Sequence, residues 1–114
     1  MVASVLTTFP DEGMVQCDWI GPLANAETGN AAQAGRWPTK SVQAVGTFGA
    51  AGSVAIEGSN DGTNWFALDD SLGVVIALTA ATPISDILQN TKHIRARVTA
   101  GDGTTALRVI LVGV

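Results

Sequence analysis

The chain is predicted to be an all-β protein, an antiparallel β-sandwich or jelly roll of eight or nine short strands, and three observations predict it. Short runs rich in Val, Ile, Leu, Thr and Phe recur along its 114 residues. Turn signals made of Gly, Pro, Asn and Asp separate these runs about every ten residues. No stretch carries the 3.6-residue apolar period of a long helix.

The clearest element is a hairpin over Ser53–Leu68. Val54 and Ile56 fall on one face and Ala55 and Glu57 on the other, because strand side chains alternate. The tip, Ser59-Asn60-Asp61-Gly62, holds an Asp-Gly pair, a strong short-range hairpin signal. Gly62 takes positive φ without a side-chain clash, and Asn60 and Asp61 can bond their own backbone. Trp65 enters the return strand with a large apolar area to bury.

The other elements follow in order. Val2–Phe9 reads as a first strand, stopped by Pro10-Asp11-Glu12-Gly13. Met14–Ile20 is a second, with Val15, Cys17 and Trp19 on one face and Met14, Gln16, Asp18 and Ile20 on the other. Gly21–Lys40 has no clean period and reads as a long loop, a feature that is usually functional or mobile. Within it, Trp37 beside Pro38 either folds back over the core or anchors a partner; folding back is the expectation. Ser41–Phe48 alternates as a strand, with Val42, Ala44, Gly46 and Phe48 on one face. Val74, Ile76 and Leu78 form the inward face of another. Pro83–Asn90 admits one helical turn capped by Ser85 or a strand over Ile84–Leu88, and the strand is expected. His93–Ala100 is amphipathic: Ile94, Ala96 and Val98 face inward, and His93, Arg95, Arg97 and Thr99 face outward. After Gly101-Asp102-Gly103, Thr104–Val114 is a last strand, apolar on both faces at Val109, Ile110, Leu111 and Val112. One face of that strand meets the opposite sheet; the other needs a loop or another subunit to cover it.

The length fits one domain, residues 1–114, with a core that needs no covalent staples. Charged residues are 14% of the chain, against roughly 25% in an average soluble domain. Either part of the surface is covered by a partner, or this is a small domain with a neutral, Ala- and Gly-rich surface. The net charge is −4 with six basic residues, which disfavours both nucleic acid and anionic membranes. Cys17 is the only cysteine, so no internal disulfide forms; it reads as a small buried hydrophobe. Met1–Pro10 lacks a basic leader, and no run approaches the roughly 20 apolar residues of a membrane span. Synthesis in a cytoplasm is expected.

Catalytic and metal chemistry find little to work with. His93 is the only histidine, and it lies on a strand beside two arginines. Zinc needs several Cys or His ligands. An EF-hand aligned on Gly62 puts Leu68 where the bidentate carboxylate belongs. Glu57, Asp69 and Asp70 have nothing to fix them as a glycosidase pair. The Gly46, Gly49 and Gly52 spacing does not match a phosphate-cradling loop. No enzyme activity, cofactor or metal is expected.

Ile56-Glu57-Gly58-Ser59-Asn60-Asp61-Gly62-Thr63-Asn64-Trp65, followed by His93-Ile94-Arg95-Ala96-Arg97-Val98, resembles the small head-decoration or cement proteins of tailed bacteriophages over roughly Ser41–Val114. The same turn and Ile-Arg strand also resemble discoidin-type carbohydrate- or lipid-binding jelly rolls. Those are usually longer and often close their ends with a disulfide, which a lone Cys17 cannot supply. The first resemblance implies a jelly-roll cement subunit on the capsid exterior, a homo-oligomer that binds major capsid protein and its own copies. The candidate contacts are the first strand, Trp37 and Pro38 in the long loop, and one face of the last strand at Val109, Ile110, Leu111 and Val112. A carbohydrate-binding module, with Trp65 or Trp37 stacked on a sugar, and a tail or baseplate component are the alternatives.

Overall fold

Alternation of apolar and polar residues decides which face of each strand meets the core. A computed structural model of the chain describes the backbone of residues 4–9 and 13–114, and the side chains from residue 13 onward. Nine strands occur among the described residues: β1 (Ser4–Phe9), β2 (Met14–Leu23), β3 (Ala32–Gln33), β4 (Lys40–Thr47), β5 (Ser53–Ser59), β6 (Phe66–Ala67), β7 (Ile84–Ile87), β8 (His93–Ala100) and β9 (Ala106–Gly113). They form a five-stranded sheet in the order β1-β2-β9-β4-β7 and a four-stranded sheet in the order β3-β8-β5-β6. The strand pairings are antiparallel. The predicted β-sandwich is therefore the observed fold.

The inward faces are those the alternation picks out. Cys17, Trp19, Val42, Ala44, Leu107, Val109 and Leu111 of the larger sheet meet Val54, Ile56, Ile94, Ala96 and Val98 of the smaller one in a single buried cluster. Interiors pack about as densely as organic crystals. Where the two sheets approach, small side chains such as Ala44 and Ala96 fill the interior.

Three expectations need correction or refinement. The predicted loop over residues 21–40 is not structureless. Gly21-Pro22-Leu23 continues β2 past a shift in register between Trp19 and Leu23. Farther on, Ala32–Gln33 pairs with β8 as β3. Between these, Glu27 O accepts from Val98 N at 2.9 Å and Gly29 N donates to Ala96 O at 2.8 Å. This order comes from tertiary contact rather than local pattern. Trp19 Nε1–H donates to Asn30 O at 2.8 Å, and Gly29 lies flat on the indole, where a Cβ would overlap Trp19 Cδ1 and Nε1.

The second correction concerns Val74, Ile76 and Leu78. They form no strand: Leu78 exchanges two 2.9 Å bonds with Val54 as an isolated bridge. Ile76 and Leu78 are buried, as expected, but Val74 is exposed. The third concerns the hairpin. It forms, with Gly58 opposite Phe66 and Glu57 opposite Ala67, but its return strand is two residues long and starts after Trp65. The ambiguous 83–90 segment does supply a strand, β7, on the edge of β4. Of the first strand and its stop, Val2, Ala3 and Pro10-Asp11-Glu12 lie outside the described residues.

If Gly29 packs on Trp19 as described, Gly29→Ala lowers stability by about 1–3 kcal/mol, the usual cost of overpacking. Gly103, which has open space around it, is the control: Gly103→Ala shifts stability by less than about 0.5 kcal/mol. Urea midpoints of the two variants check this.

Candidate interaction surface

Charged groups on this protein are mostly engaged with the protein itself. On the outer face of the smaller sheet, Glu57 takes Arg95 Nε at 2.8 Å and Arg97 at 3.4 Å. The Arg95 guanidinium also lies over the Trp65 ring, 4.1 Å from its centroid, and His93 approaches the same ring at 6.5 Å. Trp65 is thus not a core residue. It roofs a Glu-Arg pair, as cation–π contact on a flat ring allows. On the outer face of the larger sheet, Asp18 is buried and paired with Arg108 through Nε at 2.9 Å and through the terminal nitrogen.

Several carboxylates serve turns. Asp61 Oδ1 accepts from Thr63 N and Asn64 N, each at 2.8 Å, and from Ser59 Oγ at 2.9 Å. These bonds, led by the backbone N–H of Asn64, hold its carboxyl well below the usual range. Gly62, at φ +78°, completes the turn. Asp102 does the same between two loops, taking Thr104 N and Ala50 N at 2.8 Å. Asp70 accepts from Leu72 N and Val74 N. The likeness of Asp61-Gly62-Thr63 to Asp102-Gly103-Thr104 is therefore a likeness of turn chemistry.

The residues expected at an interface separate into two kinds. Val109 and Leu111 point inward and are fully buried, so they are committed to the core. Ile110 and Val112 are half-buried on the outer face, where register places them beside Gln43 and Ser41 of β4 and Asp18 and Gln16 of β2. Trp37 folds back, half-buried, against the backbone of Gly113. Pro38 beside it is exposed. The side chains of the first strand lie outside the described residues.

Sequence reasoning missed where most of the exposed large apolar side chains among the described residues lie. The two sheets end on the same side in their short strands, β6 and β7, joined through Asp69: its N–H bonds Gln89 Oε1 at 2.8 Å and its C=O accepts from Leu88 N at 2.8 Å. Along this side Phe66, Leu72, Val74, Val75, Ile84 and Leu88 are between 52% and 87% exposed. Val74, Val75 and Ile84 line one shallow cavity of about 400 Å³. Leu72 inside the Asp69–Gly73 turn was the available signal, since a turn has no inward face to hide a leucine.

Two further cavities open at the loop end. One, of about 440 Å³, lies between Asp61, Phe66, Leu68 and Thr91. The other, of about 610 Å³, lies between Arg36, Trp37, Asn60 and Lys92. Among the described residues no three His, Cys, Asp or Glu side chains gather as a metal would need. No family model, curated protein or solved structure matches the chain.

Protonating Asp61 removes acceptors the turn depends on. Its carboxyl is lowered in the folded state, so its stabilisation is present above the ordinary value and is lost as pH falls through the folded one. The penalty for Asp61→Ala is therefore full at pH 7 and shrinks below about pH 4. Urea midpoints of both proteins across pH 2.5–7 check it; a gap that stays constant would contradict the assignment.

Proposed function

We propose that this chain is a virion structural protein, a capsid decoration or cement subunit of a tailed bacteriophage that binds capsid protein and its own copies without catalysis. The observation that carries the reading is the apolar β6/β7 side. Apolar patches beyond a few hundred Å² on a monomer commonly mark contact sites, and this one lies where both sheets end in short edge strands. Edges left unprotected invite pairing with another chain; here neither edge strand carries a lysine or a proline. The resemblance of the hairpin and the Ile-Arg strand to head-decoration proteins supplies the kind of partner. The order β2-β9-β4-β7 over β3-β8-β5-β6 is what two interlocked Greek keys produce, which supports a jelly roll.

In this role the subunit bridges neighbouring capsomers and adds buried area across their joint. A specific interface needs roughly 1,000 Å² in all, so the β6/β7 side works together with Ile110 and Val112 or with the Trp37–Pro38 corner. The sugar-binding alternative has less support. Trp65 already carries Arg95 over its ring, and Trp37 is occupied by Gly113.

The test adds purified protein to undecorated heads and counts bound copies. Wild type binds, and a V74K/I84K double variant binds at least about tenfold more weakly, since two exposed apolar side chains each contribute on the order of 1 kcal/mol when buried. Because both side chains are exposed, the variant's melting temperature stays within about 3 °C. Heads that take up no wild-type protein in any maturation state would contradict the proposal.

A further inference from the structure

The chain has six basic residues, and their placement is uneven. Arg95 and Arg97 pair with Glu57, and Arg108 pairs with Asp18. Among the described residues no ion pair is made by Arg36, Lys92 or Lys40, and these three meet at one end of the sandwich. Arg36 and Lys92 line the cavity of about 610 Å³. Lys40 stands behind its wall, buried, with Nζ donating to Asn90 Oδ1 and to Trp37 O at 2.7 Å. Among the described residues no carboxylate lines this cavity. Asp61 follows Asn60, which borders both loop-end cavities, and its oxygens are turned into their own loop.

We propose that this cavity binds a carboxylate on an acidic peptide segment of a partner protein. This deepens the capsid-attachment reading and rests on it for the identity of the partner. In a protein of net charge −4, two cations on the walls of one hollow and a third behind it, with no carboxylate among the described lining residues, make a local field of opposite sign, which recruits an anion. The walls suit a peptide. Arg36, 5.8 Å from the Trp37 ring centroid, offers a planar fork that takes a carboxylate with two parallel bonds. Gln33 and Asn60 add amide groups for a peptide backbone. Asn60 Oδ1 already fixes the Lys92 backbone N–H at 3.1 Å, and Asn90 Nδ2 fixes Gly35 O at 3.0 Å, so the cavity is held open by its own bonds. Gln33 belongs to β3, the edge strand of its sheet, which an extended peptide can join. Sugars have no use for such an edge.

The test titrates 15N-labelled protein with a capped tetrapeptide carrying two glutamates, with its diglutamine counterpart, and with glucuronic acid. The diglutamate peptide is expected to move the Trp37 indole N–H and the Gly35 and Lys92 amide signals, while the diglutamine peptide does not. Binding weakens at least about tenfold in R36Q/K92Q and in 0.5 M salt, and R36K, which keeps the charge but loses the fork, weakens it less than R36Q/K92Q does. Equal binding of the two peptides, no movement with either, or movement with glucuronic acid alone overturns the proposal. Uptake on undecorated heads separates it from the broader reading. If wild type binds the diglutamate peptide but no heads, the cavity assignment stands and the capsid reading fails. If R36Q/K92Q decorates heads as well as wild type does, the cavity assignment fails and the capsid reading stands.

Discussion

The constraint on which this structure depends is scarcity of charge. Ten acidic and six basic side chains serve 114 residues, and most of those described are tied to the protein's own framework. Glu57 neutralises two arginines on one outer face, and Asp18 neutralises Arg108 on the other. Asp61, Asp70 and Asp102 hold turns by accepting backbone N–H groups. A carboxylate bonded in this way stabilises a loop more than it decorates a surface. What is left to meet the surroundings is largely apolar or amide, and that distribution shapes the functional reading.

Two surfaces of opposite character result. The β6/β7 side presents six large apolar residues beside two short edge strands. The loop end presents cations without carboxylate partners around a cavity walled by Trp37 and amides. The framework positions both. Trp19, clamped between Asn30 O and the face of Gly29, fastens the 24–34 segment along β8. This carries the chain to β3 and places Arg36 and Trp37 at the corner. Asp69 and Gln89 tie the far side together with two side-chain bonds of 2.8 and 2.9 Å.

The framework was legible in the sequence wherever local pattern and tertiary demand agreed. Ile94, Ala96 and Val98 alternate cleanly with charged residues, and β8 lies where they indicate. The 27–33 stretch was not legible, because Gly29, Ala31 and Ala32 within it are small residues that leave no apolar period, while its partners lie far along the chain on β8 and at Trp19. Val74 was misplaced because it alternates in step with Ile76 and Leu78, whereas the chain bends at Gly73 and only the later two reach the core. Trp65 carries a large apolar area into the return strand, but its place over Arg95 depends on a register that brings residues 30 apart in sequence together. Of the expected contact residues, Val109 and Leu111 were the part of a doubly apolar strand that the opposite sheet needed. Ile110 and Val112 remain on the outer face. The apolar side, Leu72 apart, was hidden for a different reason: exposure depends on which strands end the sheets, and strand order is not written in local pattern.

The central claim is that another molecule covers the β6/β7 side when the protein is at work. Hydrogen–deuterium exchange on the protein alone and on decorated heads measures this directly, because amides of open edge strands exchange readily until they are covered. The account predicts slowed exchange concentrated in residues 66–75 and 84–88 on the heads. Unchanged exchange there, with protection confined elsewhere, would contradict it.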